Sequence, residues 1–204
     1  MLLLGLTAAE IAGLVIGLLL GITFHEFSHA LVADRLGDRQ PRAMGRVSLN
    51  PLRHLDPLGT VLLVLVGFGW GRPVQVNPSA LRGGREGMAL VAAAGPVANV
   101  VMALVLALLF RVLEAAGLDG ALAVVVGTAV FLNLLLAILN FIPIPPLDGY
   151  NILLAFLPTR WVLTVQRYAP WGIVLLVFLL VLPGGPLRWL FSFARPWTDA
   201  LLGR

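Results

Sequence analysis

The sequence predicts an all-α polytopic membrane protein, with about four transmembrane helices, a re-entrant or half-inserted segment and a small β-hairpin-like sheet. Three observations carry that prediction. Of the 204 residues, 59% are hydrophobic and 12% charged, about half the charge of a soluble domain. Long stretches carry no charge: Met88 to Phe110 is 23 residues, Gly120 to Leu147 is 28 and Tyr168 to Leu187 is 20. Each is near or above the roughly 20 residues that span hydrocarbon. Two short runs of alternating character, 46–50 and 73–77, each end in an Asn-Pro pair and read as paired strands. One membrane-embedded domain, 1–204, accounts for the chain, with its core at about 8–157 and a C-terminal helix and interfacial tail at 158–204.

The elements follow in order. Ala8 to Leu36 is apolar and helical, with Gly37 as its C-cap. It lacks the basic start and the cleavage site of a signal peptide, so it reads as a retained first membrane helix. After a polar stretch comes "LGTVLLVLVGFGW" (58–70), apolar but only 13 residues long. At 1.5 Å per residue it reaches about 20 Å, short of a roughly 30 Å hydrocarbon core, which makes it the re-entrant segment. Gly87 to Ala116 opens on "AAAGPVAN", whose small residues allow close helix packing in lipid. Ala121 to Ile142 carries Asn133 and Asn140, seven apart and on one face. A proline-crowded turn, "NFIPIPPLDGYN" (140–151), delivers Asp148 to a short helix at about 149–157. Another helix is expected at about Tyr168 to Leu182, and the tail mixes Trp, Phe and Arg in the manner of an interfacial segment.

The charges report topology. There is no cysteine, which excludes disulfides and thiolate metal sites. All 14 basic residues are arginine, and they are scattered through loops, so a nucleic-acid partner is not expected. Eight of them (35, 39, 42, 46, 53, 72, 82 and 85) lie between Asp34 and Gly87, whereas the loop after Ala116 is flanked by Arg111 alone. The positive-inside rule puts the first region in the cytoplasm. If 58–70 does not cross, the next two segments leave and return, and Asp148 ends at the same face as the end of the first helix.

That end carries "HEFSH" (25–29). On a helix His25 and His29 are i, i+4 and point the same way, so both can give a nitrogen to one zinc. Glu26 between them is placed to act as a general base. Buried histidines that merely hydrogen-bond are the bland alternative, but ionisable groups inside membrane helices are functional by default. A catalytic zinc needs a third protein ligand. His54 is the only other histidine. Asp34 lies five residues past His29 and is expected to face away, solvated; Asp56 lies in the polar loop. Asp148 is the carboxylate that ends a long membrane segment on the right face, where a cation offsets the cost of burying it. Two neutral histidines and one carboxylate leave a net +1 site. The prolines break the segment and turn Asp148 inward. The competing expectation is that Asp148 N-caps the following helix, a role compatible with ligation through its other oxygen.

Five stretches together resemble the site-2 protease family of intramembrane zinc metalloproteases, in its minimal bacterial and archaeal form: "HEFSHA" (25–30), "GRVSLNPLRHLDPLGT" (45–60), "GWGRPVQVNP" (69–78), "AGPVAN" (94–99) and "NFIPIPPLDG" (140–149). The resemblance implies that His25, His29 and Asp148 bind Zn2+ and that Glu26 is catalytic. It places Asn140 near the active site and matches Asn99 to the family's AGPxxN asparagine. His54 falls in the "NPLRHLDP" signature, where it either hydrogen-bonds a reaction intermediate or orders the loop. Interhelical hydrogen bonding remains the alternative for both asparagines. Tyr150 and Asn151 depart from the family pattern, and the 204 residues show no PDZ or CBS domain.

The expected function is hydrolysis of peptide bonds within or beside transmembrane segments of single-pass membrane proteins. The expected location is a multi-pass position in the cytoplasmic (inner) membrane, its lipid bilayer surrounding the helices and the active site toward the cytoplasmic face. A substrate strand added to the edge of the 46–50/73–77 sheet is one expected docking mode. A catalytically silent scaffold on the same fold and, more remotely, a metal transporter are the alternatives; the intact HEFSH and the single metal cluster weigh against them.

Overall fold

A computed structural model describes residues 5–56, 59, 71–181 and 186–204. Eight α-helices occur among them: α1 (Ala8–Leu36), α2 (Gln40–Ala43), α3 (Arg85–Ala115), α4 (Ala121–Phe141), α5 (Asp148–Phe156), α6 (Thr159–Tyr168), α7 (Pro170–Val181) and α8 (Pro186–Leu202). Short 3₁₀ turns lie at Pro51–Arg53 and Pro78–Ala80. Three helices, α1, α3 and α4, are long and apolar enough to cross a membrane, and the pair α6–α7, bent by 61°, can supply a fourth crossing. The half-inserted segment expected at 58–70 lies, apart from Gly59, outside the described residues.

Local chemistry sets the ends of α1. Thr7 and Glu10 form a reciprocal capping box, with the Glu10 amide donating to Thr7 Oγ1 at 3.2 Å and the Thr7 amide to Glu10 Oε2 at 2.7 Å, which satisfies amides the helix cannot pair itself. Gly37 stops the helix at φ 116°, and the Asp38 amide returns to the Ala33 carbonyl at 3.0 Å. Only a glycine adopts that left-handed cap without strain.

Small residues decide how the helices pack. On α1, Gly13, Gly17, Gly21, His25, His29 and Ala33 are all buried and recur every four residues, one i±4n ridge. A Cβ on Gly13 would sit 2.6 Å from Thr128 Cβ, and one on Gly17 would sit 2.8 Å from Ala129 Cα. The bare ridge therefore brings α4 into backbone contact with α1, and close van der Waals packing is what holds helices together in lipid. α3 packs along both, and Ala103, Leu106, Ala107 and Phe110 of α3 bury against Ala123, Val126, Ala129, Val130 and Leu134 of α4. α8 lies on α4, burying Leu190, Ala194, Thr198 and Leu202 while Trp189, Phe193 and Trp197 stay exposed. Arg111 of α3 donates to the Leu201 and Ala200 carbonyls at 2.9 and 3.2 Å and closes the end of α8.

The small β-hairpin-like sheet is not formed. The described residues contain no strand, and the only pairing there is an isolated antiparallel bridge between Leu55 and Gly71. The reason is that other groups claim the backbone. The Arg46 guanidinium takes the carbonyls of Arg53, Arg72 and Pro73. The Val74 amide goes to Glu26 Oε2 at 3.0 Å and the Asn77 amide to Asp38 Oδ2 at 2.7 Å. Each Asn-Pro pair begins a 3₁₀ turn, with Asn50 accepting from the Leu52 amide and Asn77 from the Ser79 amide, an Asx device rather than a strand end. Residues 72–77 thus run as a strap tied by the carboxylates of Glu26 on α1 and Asp38 just past its end, and strand addition to a sheet edge has no edge to use among the described residues.

Candidate metal centre

The fold brings His25, His29 and Asp148 together. Asp148 Oδ2 lies 3.0 Å from His25 Nε2 and 3.3 Å from His29 Nε2, and the two imidazoles stand edge to face with centroids 4.6 Å apart. α1 presents both histidines on its buried ridge. α5 presents Asp148 at its first residue, because the turn after α4 seats α5 against the end of α4: a Cβ on Gly149 would collide with the Phe141 carbonyl and sit 2.5 Å from the Ile142 carbonyl. The N-cap of α5 is Leu147, and no side chain caps the helix. The expectation that Asp148 caps its own helix is therefore not met.

The hydrogen bonds decide which nitrogens face the carboxylate. His29 Nδ1 lies 2.7 Å from the Val91 carbonyl, which can only accept, so this Nδ1 carries the proton. His25 Nδ1 lies 2.6 Å from Asn99 Oδ1, and the same argument applies. Neutral rings so oriented present their Nε2 lone pairs to Asp148 Oδ2, a buried atom with no hydrogen-bond partner. With both rings neutral, three lone-pair atoms converge, an arrangement that repels itself unless a proton or a metal cation sits between them. The separations suit that cation: ligands about 2.0–2.1 Å from a tetrahedral zinc stand about 3.3 Å apart. Gly95 of α3 supplies the room. A Cβ there would overlap His29 Nε2 and lie 2.6 Å from His25 Nε2. Donor set, orphaned oxygen and missing side chain all fit a zinc ion.

Glu26 follows His25 on α1, and its Oε2 accepts from the Val74 amide of the strap at 3.0 Å. Gly71 lets the strap close in, since a Cβ there would meet Ile22 at 2.7 Å.

The other sequence-derived residues take different places. His54 is fully buried, with Nε2 2.6 Å from the Ser48 carbonyl, its own carbonyl accepting from the Arg72 amide at 2.7 Å and its Nδ1 without a partner. It lies outside the His25–His29–Asp148 cluster, so these contacts tie the loop to the strap. The Asn140 side-chain Nδ2 donates to the Leu136 carbonyl at 3.0 Å within α4. Asp34, expected in solvent, is buried and accepts from Arg39 at 3.0 Å and from Arg42 at 2.8 and 3.0 Å; those hydrogen bonds raise the Arg42 pKa. Burial likewise raises the Tyr150 phenol, whose hydroxyl has no partner. Two buried residues were not singled out as functional by sequence reasoning. Asp38 anchors the strap, and Asn133 bonds to Asn99 at 3.1 Å. The signal for Asn133 was present in its position on the same face as Asn140 and in the glycine ridge opposite.

Known proteins give the same direction. The chain is 38% identical over 178 residues to "Putative zinc metalloprotease YwhC" of Bacillus subtilis, covering 84% of this chain and 81% of that one. It is 33% identical over 194 residues to "Putative zinc metalloprotease Rip2" of Mycolicibacterium smegmatis, covering 91% of this chain and 72% of that one. Rip2 of Mycobacterium tuberculosis is 35% identical over 178 residues, 82% of this chain and 65% of that one. No family profile matches the chain, and no solved structure gives a significant match.

Proposed function

This chain belongs to the site-2 protease family of zinc metalloproteases, and on that premise we propose that it is an intramembrane endopeptidase that cuts single-pass membrane proteins within or beside their transmembrane segments. The observation that carries the reading is the His25–His29–Asp148 cluster, its histidines buried and its Asp148 half-buried, with room left at Gly95 and Glu26 beside it, at one end of a bundle of membrane-spanning helices. His25, His29 and Asp148 would hold the zinc. When bound, zinc polarises the scissile carbonyl and makes a water acidic enough to attack at neutral pH.

The chain's own residues do the rest. Glu26 takes the proton of the attacking water and delivers it to the leaving amine. The Val74 amide holds Oε2, which leaves Oε1 for the proton. Val91 and Asn99 keep both imidazoles in the tautomer that ligates. Asn140 and His54 are assigned supporting roles, Asn140 near the substrate and His54 in ordering the loop behind the strap. The arginines of residues 34–87 support a cytoplasmic position for this end of the bundle, so the site opens toward the cytoplasmic face of the lipid bilayer. A helical substrate must unwind locally before its peptide bonds are reachable, because its amides are paired within its own helix.

Glu26→Gln tests the proposal. The variant is expected to keep zinc and to lose cleavage of a single-pass substrate reconstituted with it in liposomes, a drop of about a hundredfold or more. Undiminished cleavage would remove Glu26 from the mechanism. Wild-type protein that binds zinc and cuts no membrane substrate would favour a silent scaffold.

A further inference from the structure

The His25 imidazole is not fixed by Asn99 alone. Asn99 Nδ2 donates to the Gly21 carbonyl and to Asn133 Oδ1, each at 3.1 Å. Asn133 Nδ2 donates to the Gly17 carbonyl at 3.2 Å and to the Ala129 carbonyl at 2.9 Å. Both asparagines are fully buried. Gly17 and Gly21 make the room, for a Cβ on Gly21 would stand 3.0 Å from Asn133 Oδ1 and 3.3 Å from Asn99 Nδ2.

The directions of these bonds form a chain of necessity. Two carbonyls, on α1 and α4, can only accept, so they force the NH₂ of Asn133 toward them and its oxygen toward Asn99. That oxygen and the Gly21 carbonyl, also acceptors, force the NH₂ of Asn99 toward them and its oxygen toward His25. His25 must then carry a proton on Nδ1, so its neutral ring offers the lone pair at Nε2. We propose that Asn133 is a positioning residue which, through Asn99, selects the His25 tautomer that can bind the metal. It touches neither metal nor substrate. The consequence for zinc rests on the metal-site reading above; the tautomer assignment stands without it.

His29 is a built-in control. Its Nδ1 proton is held by the Val91 carbonyl, a separate route that Asn133 does not enter. If Asn133 served only to glue helices, its loss would lower stability and disturb both histidines alike. A positioning role disturbs His25 first.

The experiment uses ¹⁵N-histidine spectra of the full chain in detergent, recorded without metal at a pH where both imidazoles are neutral, and again with zinc. Wild-type protein should show the proton on Nδ1 of both rings. In Asn133→Leu, close in volume, His25 should populate both tautomers while His29 keeps one, and zinc affinity should fall about tenfold, the lower end for residues that orient a ligand. Asn133→Ala should give the same pattern and serves if the leucine variant fails to fold, with circular dichroism confirming helix content. A His25 proton on Nε2 in the wild type, an unchanged His25 in the variants, or equal changes at His25 and His29 would overturn the proposal. Any of these leaves the protease reading intact, which fails instead if the wild-type protein binds zinc and cuts no membrane substrate.

Discussion

Around His25, the core of α1, α3 and α4 satisfies its polar atoms with side-chain amides and backbone carbonyls, whereas the polar shelf at residues 34–56 and 71–85 uses carboxylates and arginines. The core has no charge to spare because an unpaired ion there is costly; neutral Asn99 and Asn133 orient a ligand without adding one. The shelf can hydrate Arg39 and Arg42, so Asp34 takes both of them, and Asp38 takes two backbone amides. Metal binding therefore depends on the core, and placement of the base depends on the shelf. Substitutions on the two sides should separate zinc content from turnover.

The largest effect is expected in the core at Gly95→Ala. Alanine suits a helix, so α3 should form, but its methyl would occupy the space against both ligand nitrogens. Zinc per chain, read by atomic absorption, should fall from near one to near zero, with activity lost in parallel. Normal zinc content would show that the ligands sit elsewhere. On the shelf, Val74→Pro deletes the amide that donates to Glu26 Oε2 and leaves the core untouched. Here zinc content should hold while kcat falls about ten- to hundredfold, the scale of a misplaced catalytic group. Loss of zinc in this variant would break the division between the two regions.

The same division explains what was legible in the sequence. Spacing along a single helix is local, so the His25–His29 pair and the bounds of α1 could be read directly, and charge asymmetry brought Asp148 to them. Asn133 was visible as a polar residue on an apolar face, but its task depends on which helix the Gly13–Gly17–Gly21 ridge admits, and that is a packing question. On the shelf, five-residue alternation at 46–50 and 73–77 could not separate a ladder from a strap, because the partners of Val74 and Asn77 are the distant carboxylates of Glu26 and Asp38. Asp34 was misjudged for a related reason. Its place off the histidine stripe was right, but Arg39 and Arg42 fold back through α2 to bury it.

Asp38→Ala sharpens the contrast at intermediate size. It strands the Asn77 and Gln40 amides, and leaving such donors unpaired costs about 1–3 kcal/mol. Chemical denaturation in detergent should show that loss, together with slower cleavage as the strap loosens, at unchanged zinc. Stability equal to wild type would mean the strap is held by other contacts.

The smallest effect is expected at Asp34→Asn. The Asp34 side chain is 1% exposed, but its partners Arg39 and Arg42 are 74% and 57% exposed, so water can take over their guanidinium groups when the carboxylate is lost. An asparagine still offers one acceptor oxygen. The destabilisation should then be under about 1 kcal/mol, as for ion pairs that solvent reaches from one side, and it should shrink further at high salt as screening weakens the wild-type pair. Zinc content and turnover should both stay at wild-type values, because Asp34 hydrogen-bonds Arg39 and Arg42 and not the core amides or the strap among the described residues. A larger and salt-independent loss would make Asp34 a core residue in its energetics, and the boundary between the two regions would then move past the end of the histidine ridge.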